Sequence, residues 1–210
     1  MAPLWVGFAM VFAYLFAQSV SGAAILKDAC AKVDSAKTLT YTSVELTEEF
    51  KGEHRIRYSF KTGGYFRAET PTVIDVSSPK GGWTYRADKK IYQSRPPIDS
   101  SFSVAWLKGF DIFHSSSPVI GVPKEVVWHK MPTLRIELDG RKQMTKETKL
   151  FVFVDPKTHN PIGISGNLGS MTQVVIFEDL KVNPPLSDSL FTFMPPKDWK
   201  QVTAKSGGWN

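Results

Sequence analysis

Charge is missing from the first 26 residues: every Asp, Glu, Lys and Arg of this 210-residue chain follows Leu26. Cysteine is almost absent too. Cys30 stands alone, which excludes an internal disulfide framework and says little about redox compartment. The four histidines (His54, His114, His129, His159) have no second His or Cys at ligand spacing, which argues against a metal site. No Gly-rich phosphate loop followed by Lys-Ser/Thr occurs, and Gly163-Ile164-Ser165-Gly166 is not a nucleophile elbow. Internal repeats and low-complexity linkers are lacking, so one domain is expected. The formal charge is +6, but the basic residues are spread out rather than gathered in a stripe, which speaks against nucleic acid as a partner.

What fills the uncharged start is an apolar run from Leu4 to Ala17, followed by Gln18-Ser19-Val20-Ser21-Gly22-Ala23-Ala24. A run of about 14 residues is short for a bilayer span, which needs ~20, and fits the apolar core of a secretory signal. Ser21 and Ala23 are small enough for the −3 and −1 positions, so residues 1–23 read as a signal peptide cut before Ala24. No Lys or Arg precedes the run, which leaves an uncleaved anchor as the alternative. Lys27-Asp28-Ala29 before Cys30 makes a poor lipobox. An exported, periplasmic location is expected.

The remainder divides by period. From Ile25 to Lys37, Leu26, Ala29, Cys30, Val33 and Ala36 recur at helical spacing and make one buried stripe. From Thr38 the period becomes two. Ile56, Tyr58 and Phe60 alternate with Arg57, Ser59 and Lys61, and turns at Gly63-Gly64, Pro79 to Gly82 and Asp88-Lys89-Lys90 punctuate a meander through Thr72–Ser77, Trp83–Arg86 and Ile91–Gln93. Pro96-Pro97 ends it. The stretch holding Phe102, Trp106, Phe110 and Phe113 is apolar nearly all round, and such a helix must sit inside something. Strands resume at Val126–His129 and Thr133–Asp139. Leu150–Val154 and Val174–Phe177 are apolar on both faces, so both faces need cover. The domain is taken as residues 24–202, with 203–210 a flexible tail.

No catalytic constellation emerges. Asp155 and His159 are flanked by Pro156 and Pro161, which favours a rigid turn over a catalytic pair. No enzyme activity, cofactor or metal is expected.

Three stretches carry a family resemblance. They are Gly81-Gly82-Trp83-Thr84-Tyr85-Arg86-Ala87-Asp88-Lys89-Lys90-Ile91-Tyr92, Phe151-Val152-Phe153-Val154-Asp155-Pro156-Lys157-Thr158, and the terminal Leu190-Phe191-Thr192-Phe193-Met194-Pro195-Pro196. Their order and spacing over Ile25 to about Val202 resemble the LolA/LolB-like periplasmic lipoprotein carriers. The resemblance implies a mainly β (α+β) fold, a strongly curved antiparallel sheet forming an incomplete barrel, with helices plugging its concave face and more strands leading up to the terminal block. The last of these strands is expected to end in the Leu190-Phe191-Thr192-Phe193 block. The resemblance implies a carrier or binder of lipid or lipoprotein acyl chains. The alternative is an envelope signalling or assembly protein that uses the same cup for a protein partner. A membrane-bound release or acceptor protein is a further partner the resemblance suggests, and a monomer is expected.

Strand alternation, together with the apolar helix, nominates the cavity as Tyr58, Phe60, Trp83, Tyr85, Phe102, Trp106, Phe110, Leu134 and Ile136. The family's gate Arg before a Pro at the end of the second strand is missing. Phe60-Lys61-Thr62-Gly63-Gly64 stands there, with Lys61 the cation that could replace it.

Overall fold

The computed structural model describes residues 21–47, 52–98, 117–140, 149–168 and 171–203. The apolar stretch with Phe102, Trp106 and Phe110 lies outside them, as do residues 1–20 of the expected leader and 204–210 of the expected tail.

The described chain opens with helix α1 (Gly22–Asp34). It is displaced three residues towards the N-terminus from the apolar stripe that announces it. The cause is the cap: Ser21 is extended, and its hydroxyl accepts the Ala24 N–H at 3.2 Å. Ile25, Leu26, Ala29 and Val33 form the buried face. Among the described residues, eleven strands then run antiparallel to their neighbours: β1 (Thr38–Thr47), β2 (Glu53–Lys61), β3 (Tyr65–Glu69), β4 (Ile74–Ser78), β5 (Gly81–Arg86), β6 (Ile91–Arg95), β7 (Val119–Trp128), β8 (Met131–Asp139), β9 (Lys149–Val154), β10 (Pro161–Leu168) and β11 (Met171–Val182). A 3-10 turn (Asp188–Phe191) precedes a short β12 (Lys200–Gln201), which pairs parallel to β6.

All twelve belong to one sheet, in the order β12-β6-β5-β4-β3-β2-β1-β11-β10-β9-β8-β7. The end strands β12 and β7 do not pair with each other, so the sheet is open, and it is curved as an incomplete barrel. Register shifts at Thr40/Thr42, Pro161/Gly163 and Ile120/Lys124 help it bend, since an extra residue on one strand of a pair kinks it and sharpens its twist. The centre of the sheet is the long β1–β11 ladder, which joins the two ends of the domain. Asn183 secures it: its backbone N–H reaches the Thr38 carbonyl at 2.8 Å, while its side-chain oxygen accepts the Lys37 N–H at 2.7 Å.

Several boundaries differ from expectation. The strand expected at Thr72 begins at Ile74, because Thr70 Oγ1 accepts the Val73 N–H at 2.9 Å and holds Pro71 and Thr72 in a turn. The strand expected at Val126 starts seven residues earlier, at Val119. It returns through a two-residue turn, His129-Lys130, both with positive φ, a turn for which the usual Asn or Gly signal is absent. The terminal Leu190-Phe191-Thr192-Phe193 block is no strand; it is the 3-10 turn and the extended chain after it.

Candidate functional site: the face beneath the helix

The ladder registers assign every strand residue to one of two faces. On the face that carries α1, hereafter the inner face, Ile136 pairs with Val152, Val152 with Ile164, Ile164 with Val175, Val175 with Glu45, and Glu45 with His54. A second inner row runs Leu39, Phe60, Phe66, Ser77, Gly82, Arg95, and a third Tyr41, Tyr58, Ala68, Asp75, Thr84, Gln93. The inner face is therefore graded. From β8 to β11 it is aliphatic, at β1 to β3 it is aromatic with polar groups between, and at β4 to β6 it is mostly polar.

Helix α1 lies over the aliphatic part. Ile25, Leu26, Ala29 and Val33 form one cluster with Leu39, Tyr41, Tyr58, Phe60, Ile136, Leu138, Leu150, Val152, Val154 and others, and Leu134 packs against its edge. Contact at the helix start is close. A Cβ on Gly22 would lie 2.8 Å from Val119, 3.3 Å from Pro123 and 3.4 Å from Ile136, so only glycine lets the first turn sit this near β7 and β8. Further along the helix, His159 Nδ1 meets Asp28 Oδ2 at 2.8 Å, and Lys32 bridges the same carboxylate at 2.8 Å and the Thr158 carbonyl. Asp155 spends its own carboxylate within the turn, accepting the Lys157 and Thr158 N–H groups at 2.9 and 2.7 Å. The Asp155–Asn160 turn is thus structural, and His159 is a clasp on α1.

Of the nine residues nominated from sequence, Tyr58, Phe60 and Ile136 are buried on the inner face at 6%, 1% and 0% exposure, and Leu134 flanks them. Trp83 and Tyr85 are on the opposite face. Tyr58 aligns through Ala68 and Asp75 with Thr84, so the aromatics on either side of Thr84 point outward. The expectation that they share a face with Tyr58 fails because alternation puts Trp83 and Tyr85 on one face of β5 without saying which, and this outer face has its own cover. Phe102, Trp106 and Phe110 lie outside the described residues.

That cover is the C-terminal segment. It leaves β11 past Thr38, whose hydroxyl donates to the Pro184 carbonyl at 2.6 Å, and crosses the outer face of β2 to β6. Phe191 packs edge-on against Tyr65, Arg67 reaches the Leu190 carbonyl and the Tyr85 hydroxyl, and Phe193 stacks on Tyr85 beside Tyr92 and Trp199. Lys61 belongs to this strap. It pairs with Asp188, which lowers the Asp188 pKa and raises its own, and its ammonium lies 5.2 Å from the Tyr65 ring centroid. The cation at the gate position thus ties down the outer segment.

Polar side chains on the inner face set its electrostatics. Glu45 is 1% exposed with His54 Nδ1 at 3.8 Å, and Ser43 is fully buried. Burial, then the neighbouring Tyr58 and Glu45, pushes the Tyr41 phenol well up; burial, then Glu45 and Asp75, pushes Tyr58 up to about 12. Arg95 balances Asp75 at 3.2 Å. Among the described residues no cluster of three His, Cys, Asp or Glu could hold a metal, and no helix is long and apolar enough to cross a membrane. A separate groove of about 530 Å³ lies at the β7–β8 edge, lined by Glu125, Val126, Val127, Pro132, Thr133, Pro156 and Lys157, and contains none of the nominated residues.

No protein-family model matches the chain, and neither does any curated protein. Solved structures do. LprF from Mycobacterium bovis aligns over 85% of this chain and 97% of its own, at 9% identity and a TM-score of 0.50. An uncharacterized conserved protein from Thermus thermophilus aligns over 85% and 96%, at 13% identity and a TM-score of 0.49. The LolA superfamily protein NE2245 from Nitrosomonas europaea aligns over 83% and 98%, at 14% identity and a TM-score of 0.35. At such identities the likeness is one of fold alone, and LprF carries it. With its open curved sheet and a helix laid across one face, the chain shares the fold of LprF.

Proposed function

We propose that this chain is an exported binder and carrier of lipid or lipoprotein acyl chains, held between α1 and the inner face of the sheet. One observation carries the reading: the rows from Leu134, Ile136 and Leu138 through β9, β10 and β11 form a continuous aliphatic surface covered by helix α1. A helix held by one apolar face and a few polar contacts at its edge shares no backbone hydrogen bonds with the sheet, so it can be displaced at lower cost than a strand inside a twelve-stranded ladder. An acyl chain taking its place regains the apolar contact, at roughly 25 cal/mol per Å² of chain surface removed from water. Tyr58, Phe60, Leu134 and Ile136 form the inner lining in this reading, and Phe102, Trp106 and Phe110 keep their proposed place in the cavity. Trp83 and Tyr85 do not.

Residues 1–23 act as the export leader. Cleavage before Ala24 would remove the Ser21 cap and start α1 two residues later. N-terminal sequencing of protein released by osmotic shock should begin near Ala24; an intact Met1 on membrane-bound protein would identify an anchor.

The binding test is direct. Protein stripped of co-purified lipid is titrated with a fluorescent fatty acid, and lipids from untreated protein are identified by mass spectrometry. Saturable binding with one site per chain is expected. No saturable binding would overturn the carrier reading and leave recognition of a protein partner in its place.

A further inference from the structure

Among the described residues four large apolar side chains stand in solvent, and three of them belong to β7: Ile120 at 43% exposure, Val122 at 70% and Val127 at 77%. β7 is also an end strand of the sheet. An end strand with bare valines invites another strand to pair with it, and natural sheets forestall this with proline, lysine and bulges. β7 carries all three devices. Pro123 has no N–H to donate, Lys124 follows it, and the register shifts between Ile120 and Lys124, where Gly121 takes a φ of 68°. The strand therefore withholds part of its backbone while presenting its side chains. That disfavours a partner that binds by strand pairing, whether a peptide or a second copy of β7. A lipid surface needs no backbone hydrogen bonds, and an exposed apolar patch suits it.

We propose that the β7–β8 hairpin docks on an anionic bilayer surface, with Val122 and Val127 entering the interface. The inference goes beyond the acyl-binding reading and does not depend on it. Charge favours this occupant. Lys124 and Lys130 on the hairpin and Lys157 on the neighbouring turn are exposed, and Glu125 is the one acidic residue between Val119 and Pro132. Lys32, Lys61 and Lys90 are committed to Asp28, Asp188 and Asp198, whereas these three lysines have no ion-pair partner among the described residues. A lysine stem lies along apolar surface while its ammonium reaches the head-group phosphates, which is worth about fivefold in affinity for an anionic surface. Position fits as well. The first turn of α1 rests on this edge, with Gly22 against Val119 and Pro123, so the apolar run from Leu4 to Ala17 joins the fold beside β7. The groove of about 530 Å³ belongs to the same hairpin, and its Glu125 is the register partner of Leu134 on the inner face. A bilayer held here faces the groove and, one strand further in, the aliphatic rows.

Single cysteines read the contact. In the full chain with Cys30→Ala, the substitutions Val122→Cys and Val127→Cys are each labelled with an environment-sensitive nitrobenzoxadiazole dye. Met194→Cys is the control, since Met194 is 89% exposed but lies on the strap. Emission is recorded with vesicles of phosphatidylglycerol and phosphatidylethanolamine, and with vesicles of phosphatidylcholine alone. A blue shift and protection from iodide quenching are expected at both β7 sites on the anionic vesicles, and neither at the strap site. Adding Lys124→Glu and Lys130→Glu should move the shift to at least about tenfold more lipid. No shift at the β7 sites, or an equal shift at the strap site, overturns docking through β7. Equal shifts on the two kinds of vesicle overturn the anionic preference. A shift that grows with protein concentration in the absence of vesicles assigns the edge to a second copy, which also overturns the proposal. Titrating the Met194→Cys protein with a fatty acid, without vesicles, keeps the readings apart: no fatty-acid binding with the β7 shift intact refutes only the carrier, and the converse refutes only the docking.

Discussion

The rings of Tyr85 and Phe193 lie parallel, 8° apart in plane with centroids at 4.1 Å, and so fix the C-terminal strap to the back of β5. Tyr92 and Trp199 close on the same Phe193 at 5.8 and 5.6 Å. Replacing Phe193 with alanine should cost about 2–3 kcal/mol in urea unfolding, slightly less than for a fully buried ring. The change falls on the outer face, so affinity for a fatty acid should stay within about twofold of wild type. A loss of binding as large as that caused by Ile136→Ala would mean that the outer cluster, not the inner face, holds the ligand.

Gly163 occupies a close approach on β10. A Cβ there would collide with the Val175 carbonyl and with the Trp128 ring, which lies flat on Phe153 at 3.9 Å between centroids. Gly163→Ala should destabilise the protein by roughly 1–3 kcal/mol, because a backbone oxygen cannot step aside as a flexible side chain does. Thermal unfolding and a blue or red shift of Trp128 emission would register the change; an unaltered melting temperature would refute so tight a fit.

Acid should loosen the two clasps. Hydrogen bonds from Lys32 and then His159 lower the Asp28 pKa, and Lys61 lowers that of Asp188. A carboxylate whose pKa is depressed on folding contributes stability above its unfolded pKa, near 3.8, and loses it as pH falls through the folded value. Stability should therefore be flat with respect to these groups above about pH 5 and decline below about pH 4. The double variant Asp28→Asn/Asp188→Asn should be less stable at pH 7 yet lose less between pH 5 and pH 3. Parallel pH profiles for variant and wild type would show that the clasps carry no stability.

Cys30 sits on α1 with its thiol pushed up to about 11, by burial first and then by Asp34. At pH 8 the thiolate is then roughly 100-fold scarcer than for an unperturbed thiol. Reaction with a disulfide reagent should slow by about that factor in native protein and recover in urea. Fast native labelling would place Cys30 on a surface that the helix does not bury.

Reading the chain by period recovers the helix stripe, the meander and the doubly covered strands Leu150–Val154 and Val174–Phe177, since each of these is set by burial patterns within a few residues. What it misses is long-range. Nothing local marks Thr84, rather than Trp83 or Tyr85, as the partner of Tyr58's face, because that depends on summing three hairpin registers and on a cover supplied about a hundred residues later. Nor does His159 announce its partner Asp28, 131 residues away. The Phe60-Lys61 stretch invites comparison with a gate, and only the position of Asp188 reveals that Lys61 serves the strap. Glu45 and Ser43 share the alternate positions of β1 with Leu39 and Tyr41, a polar pair on an otherwise apolar stripe. The β11 pairing needed to see them buried is absent from the local pattern.

The central β1–β11 ladder has a kinetic consequence. Its pairs, Leu39 with Val182 among them, join residues more than about 120 positions apart, so they form only after a large loop has closed. Until then the β1–β6 meander stands as a half-sheet with β1 unpaired along one edge and Tyr65, Tyr85 and Tyr92 bare on its back. A chain emerging N-terminus first is in that state until the segment after β11 is free. Its window for aggregation closes with the arrival of the strap, and a nascent or truncated chain ending before Pro184 should need a holding chaperone that the full-length protein can do without.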